Sequence, residues 1–155
     1  MKHVIPVLAA LIAAAPAHGD NVGDANKAVA VRVFDDIYNR RDFAAANEIY
    51  APGFVNHGET RDFSLAEDLA ASRGWCGAFP DLHVTVQKSV AEGDLVTFLW
   101  TAEGTNTGTG NGLRATGVHA KVRGITIWRV VDGRLAEEWS QFDEERVLRA
   151  TGAMK

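Results

Sequence analysis

Ile125-Thr-Ile-Trp-Arg-Val-Val-Asp-Gly-Arg-Leu-Ala-Glu-Glu-Trp-Ser-Gln-Phe-Asp143 decides how this chain folds. β-Branched and aromatic residues lead into Asp132-Gly133 and out of it, and Asp-Gly supplies the positive φ angles of a tight hairpin turn. Strand side chains alternate faces with period two, which predicts Leu135, Glu137, Trp139, Gln141 and Asp143 on one face. Ala136, Glu138, Ser140 and Phe142 then share the other. The first face pairs a Trp139 wall with an acid at its rim, an arrangement suited to proton transfer. Asp143 equally suits the N-cap of a helix Glu144–Ala150, with Glu144 and Glu145 in the first turn. Local sequence leaves both readings open.

Upstream of the hairpin, strand patterns occupy 82–90, 95–104 and 120–131, with a turn at Gly93-Asp94. A Gly/Thr/Asn-rich stretch, 105–117, reads as a mobile hairpin connection bordering a pocket. Before residue 80 the period changes. Ala25, Val29, Val33 and Ile37 recur every four residues and predict a helix over 25–40, after a polar lead-in at 20–24. Asp42 caps a shorter second helix, and Phe54-Val55-Asn56-His57 begins an extended segment. Ser64 and Glu67 have capping-box spacing for a third helix that Phe79-Pro80-Asp81 stops. Helices first and strands afterwards predict an α+β fold, with helices on one face of a curved antiparallel sheet. Gly53, Gly104 and Gly124 are candidate bends.

Residues 1–19 stand apart. Met1-Lys2-His3 is a short positive start, Val4 to Ala15 is apolar apart from Pro6, and small residues precede Gly19. This pattern predicts a signal peptide cleaved after Ala17 or Gly19, an exported (periplasmic or secreted) protein and a single domain over 20–155. Of 16 basic and 20 acidic residues only Lys2 lies in that segment, so the mature chain carries a net charge of −5. An acidic surface without a basic run argues against nucleic acid, and against a membrane after cleavage, as partners. Cys76 is the sole cysteine, so no internal disulfide forms, and it reads as a small buried residue.

Tyr50-Ala-Pro-Gly-Phe-Val-Asn-His57, Phe79-Pro80-Asp81-Leu82, Gly104-Thr-Asn-Thr-Gly108, Ala115-Thr116-Gly117 and the Asp132-Gly133…Asp143 hairpin follow one another in a familiar order. Together they resemble the SnoaL-like polyketide (ester) cyclase family of the NTF2-like superfamily, over roughly 26–152. The resemblance implies an α+β cone, with a curved sheet and three N-terminal helices around one deep pocket. It also implies intramolecular aldol cyclisation without metal or organic cofactor. The family's acid/base Asp corresponds to Asp143 and its cavity His to His57. Where many relatives carry Gly-Thr-His-Thr-Gly, this chain has Asn106.

The expected substrate is a small apolar carbonyl compound, with Asp143 as acid/base and His57 orienting it. Trp139, Trp128 and Trp100 form walls, while Arg129 recognises substrate or pairs with an acid. No cofactor is expected. The dispersed His57, His83 and His119 predict no metal site. Isomerisation or epoxide hydrolysis on the same fold is the alternative chemistry, and a non-catalytic ligand-binding module is the alternative without chemistry. A homodimer through the outer sheet face is the candidate assembly.

Overall fold

The computed structural model describes residues 18–154, and the side chains from Asn21 onward. The predicted signal segment lies outside the described residues except for its last two, which begin a helix. That helix, α1 (His18–Arg32), runs directly into a π-helical segment, Val33–Asn39. The expected polar lead-in at 20–24 is therefore helical. Its packing explains this: a Cβ on Gly23 would lie 3.3 Å from Ala91, and Asn26 Nδ2 donates to the Gly93 carbonyl at 3.2 Å. Asp42 accepts from the Ala44 amide and starts a 3₁₀ turn, Phe43–Ala45, followed by α2 (Ala46–Ile49).

Strand β1 (Tyr50–His57) and the short β2 (Asp62–Ser64) form a hairpin. Ser64 then opens α3 (Leu65–Ala78) with the predicted capping box. The remaining strands are β3 (His83–Glu92), β4 (Leu95–Thr105), β5 (His119–Val131) and β6 (Arg134–Phe142), followed by α4 (Glu144–Ala150). Asp132 (φ 51°) and Gly133 (φ 73°) make the expected hairpin turn. The six strands lie in the order β2-β1-β6-β5-β4-β3, antiparallel except where β1 runs parallel to β6.

The α1/π-helical face docks on the concave side of the curved sheet. Ala30, Val33, Phe34 and Ile37 pack with Val96, Phe98, Trp128, Val130 and Leu135, all buried. Strand β4 alternates buried and half-buried residues without a break along its length. Of the candidate bends, Gly53 lies in an irregular part of the β1–β6 pairing, whereas Gly104 and Gly124 keep regular register. Gly124 has a different duty, because a Cβ there would fall 2.2 Å from the Trp100 ring.

One irregularity matters for function. Val130 pairs with Leu135, yet Arg129 pairs with Glu137, so Ala136 is an extra residue in β6. Period two restarts beyond it. Leu135 and Glu138 both face inward, with Ser140 opposite Thr126 and Phe142 opposite Gly124. Glu137, Trp139 and Gln141 face outward.

The Gly-rich connection is pinned rather than free. Asn106, fully buried, donates to the Ala78 and Gly108 carbonyls and accepts from the Thr116 hydroxyl. Asn111 donates to Ala71, and Gly108 and Gly110 lie so close to the carbonyls of Gly77 and Gly74 that neither tolerates a Cβ. Buried Leu113 joins Ala78, Phe79 and Val147 in a second small core.

Candidate active site

Between the helices and the concave sheet lies a cavity of about 110 Å³. Its walls are apolar: Val33, Phe34, Trp75, Phe79, Trp100, Trp128, Val122 and Phe142 among others. The polar groups are Tyr38, Tyr50, Asp68, Glu103, Thr126, Glu138 and Ser140, and among the described residues no Lys, Arg or His contributes to the lining.

Glu138 is the decisive one. The Ala136 bulge turns it inward beside Trp128, whose indole N–H donates to Glu138 Oε2 at 2.8 Å. Burial removes water from the carboxylate, and the negative charge of nearby Asp68 adds to the effect. Together they push the Glu138 carboxyl up to about 8 against the opposing Trp128 bond. At neutral pH it is mostly uncharged. Indole N–H can only donate, so Glu138 accepts this bond and its own proton is not committed to Trp128.

Asp68 projects from α3, and Asn56 Nδ2 donates to its Oδ1 at 2.7 Å. Burial raises the Asp68 carboxyl and the Asn56 bond lowers it, with burial the larger. Asn56 lies in β1, orients an acid of the cavity and pairs with Glu138 across β1 and β6. Around the two acids, Tyr38 shares a hydrogen bond with Ser72 at 2.9 Å. The Trp100 indole N–H donates to Thr126 Oγ1, which is 2.8 Å from Ser140 Oγ.

The residues chosen from sequence divide between the two sides of the sheet. Trp100 and Trp128 line the cavity. Asp143 does not: it is exposed and accepts from the Arg146 amide at 3.0 Å as the N-cap of α4. The Trp139 wall with Asp143 at its rim is therefore absent from the cavity, because the extra residue at Ala136 exchanges the faces of β6. Outside, the imidazole of His57 stacks on Trp139 with centroids 4.7 Å apart. It bridges Glu137 (2.8 Å) and Asp62 (3.0 Å). The Glu137 bond, assisted by Asp62 and opposed by burial, raises the His57 pKa. Arg129 pairs with Glu137 (2.9 Å) and Asp94 (2.5 Å), the ion-pair alternative of its sequence reading.

Sequence reasoning missed Glu138, Asp68, Tyr38 and Tyr50. The adjacent acids Glu137-Glu138 were the available signal, since one of two neighbouring strand residues must face inward. Among the described residues no group of three or more His, Cys, Asp or Glu is placed to hold a metal ion.

A helix-backed curved sheet enclosing an apolar cavity with acids in its lining defines a small-molecule pocket protein. The chain matches the SnoaL-like polyketide cyclase family over residues 28–151 and belongs to it. Among solved structures it is similar to AclR, a proposed hydroxylase from Streptomyces galilaeus (26% identity, 85% of this chain and 98% of that one, TM-score 0.77). It is also similar to IdmH, a proposed polyketide cyclase from Streptomyces antibioticus (26% identity, 82% and 98% covered, TM-score 0.71). A proposed SnoaL-like polyketide cyclase from Jannaschia sp. CCS1 shares the fold (23% identity, 86% and 96% covered, TM-score 0.77). No curated protein matches the chain significantly. Family and fold together support a cyclase- or isomerase-type role.

Proposed function

We propose that this protein catalyses proton transfer next to the carbonyl of a small apolar molecule, in the manner of an aldol-type cyclisation. The observation that carries the reading is a mostly uncharged Glu138 inside an apolar cavity within the field of a second acid, Asp68. Asp68, as carboxylate, takes a proton from the carbon beside the carbonyl. Glu138 gives its proton to the carbonyl oxygen, and an enol forms. The enol carbon then bonds to a second carbonyl carbon. Its own hydroxyl proton returns to Glu138, while the new alkoxide takes the proton from Asp68. Both acids end as they began, and no atom is gained or lost. Without the second carbonyl the same pair moves a double bond, which is the isomerase variant of this reading.

The lining supports an uncharged substrate, because it offers aromatic faces and no cation to a carboxylate or phosphate. The test is hydrogen–deuterium exchange at the carbon beside the carbonyl of 1-tetralone in D₂O, followed by NMR. Wild type accelerates exchange, and Glu138→Gln and Asp68→Asn each lose it at least about 100-fold. Exchange that survives both substitutions sinks the proposal.

Two further readings belong to the same proposal. Export follows from the apolar run after Met1-Lys2-His3. N-terminal sequencing of native protein should begin at His18 or Asp20, and an intact Met1 refutes export. A homodimer through the outer sheet face follows from Ile125, 48% exposed beside half-buried Ile127 and Trp139. Light scattering that gives a monomer mass refutes it.

A further inference from the structure

Tyr50 stands out in the cavity lining because its side chain is only 3% exposed and yet bonds to nothing. Among the described residues no group donates to its hydroxyl or accepts from it, whereas Tyr38 is held by Ser72 and Thr126 by Trp100 and Ser140. The ring is fixed edge-on against Phe54, with centroids 4.7 Å apart, and packs in the main core. Rigid at its base, it presents the hydroxyl to the open space. The hydroxyl is open to the cavity, since Arg41 Nη1 is the one fully buried side-chain polar atom without a partner among the described residues. A ligand that accepts a hydrogen bond takes the place that water otherwise fills there.

We propose that Tyr50 is a catalytic residue, donating its O–H to the substrate oxygen whose negative charge grows as Asp68 removes the neighbouring proton. This rests on the acid/base reading above and deepens it. The substrate must present a hydrogen-bond acceptor at the enolisable carbonyl. Burial and the charges of Glu138, Asp68 and Tyr38 raise the Tyr50 pKa well above its ordinary value, so the phenol stays a donor throughout the accessible pH range. A fixed donor aimed at developing charge in a dry site is a strong form of transition-state stabilisation. Among the described residues the lining has no cation to perform that task.

The experiment compares 1-tetralone with tetralin, the same skeleton without its oxygen, binding to wild type and Tyr50→Phe by calorimetry. The expected result is an approximately tenfold loss of tetralone affinity with tetralin unchanged. Melting temperature should not fall, because the removed hydroxyl bonds to no protein group. Tetralone exchange should slow at least as much. Failure of wild type to bind tetralone, equal affinity in the two proteins, or an equal loss for tetralin overturns the proposal. Failure of the acid/base reading is separate: exchange would survive Glu138→Gln and Asp68→Asn while the tetralone-specific loss in Tyr50→Phe remained.

Discussion

Replacing Glu138 by Gln tests the site without knowledge of its substrate. Moving a carboxyl from its ordinary 4.5 to about 8 favours protonation in the folded state. At about 1.4 kcal/mol for each pH unit, that corresponds to roughly 5 kcal/mol as an upper bound. The sign follows from the direction. The folded value is raised, so the folded chain binds the proton more tightly than the unfolded chain does. The stabilisation is complete below the unfolded value near 4.5 and is lost as pH rises through about 8. Between pH 6 and pH 8 the loss comes to about 2 kcal/mol. Glutamine keeps the shape and cannot titrate. Urea denaturation of both proteins from pH 5 to pH 9 isolates the carboxyl as the difference between two profiles. Wild-type stability should decline relative to Glu138→Gln by that amount across pH 6 to 8. Parallel profiles would mean that Glu138 is already ionised, and the acid proposed for catalysis would not exist.

Three other predictions concern the surroundings of the site. His57 should titrate above its ordinary 6.5 because Glu137 and Asp62 favour the imidazolium. Its contribution to stability is then present below 6.5 and lost as pH rises through the raised value. Imidazole NMR reads this directly, and titration at or below 6.5 contradicts the geometry. Asp143→Ala should cost about 1 kcal/mol through the lost cap of α4, while Asp143→Asn should cost only a few tenths. Tetralone exchange should survive both, so an exchange defect in either one restores Asp143 as a catalytic candidate. Gly124→Ala forces Trp100 off its bond to Thr126 and should cost about 1–3 kcal/mol. Near-UV circular dichroism should change with it, and an unaltered spectrum at full stability would show the Trp100 position to be soft.

The fold was legible because its boundaries are chemical. Gly93-Asp94 and Asp132-Gly133 turn where positive φ is needed, the Ser64–Glu67 capping box opens α3, and unbroken alternation identifies β4. The helix entering from residue 18 was less visible, since Asn26 and Gly23 reveal their partners at β3 and the following turn only in three dimensions. The site was not legible, for a specific reason. Period-two counting from Leu135 is right up to Ala136 and inverted beyond it. No propensity marks Ala136 as an extra residue, because a bulge is settled by how the two strands pair. Asp68 was hidden differently: in a helix it reads as an ordinary acid of the first turn, and only the approach of β1 brings Asn56 to it.

Glu137 and Glu138 show why residue type alone could not have named the acid. They are neighbours on one strand with identical side chains, separated by the thickness of the sheet. Glu137 faces outward, where His57 and Arg129 bond both of its oxygens. Glu138 faces a cavity with one indole donor, no cation and the charge of Asp68 nearby. An anion is stabilised on the first side and penalised on the second. Shifting the bulge would exchange them. If β6 kept every residue and paired without the bulge, Glu137 would enter the cavity, Trp139 would follow it, and His57 would lose both its bridge and its stacking partner. Deleting Ala136 removes only the extra residue, so Glu137 should stay opposite Arg129, Glu138 should stay opposite Trp128, and the raised Glu138 titration should survive. What places Glu138 inside is thus its pairing opposite Trp128, and the bulge is how a strand with one residue too many keeps that pairing.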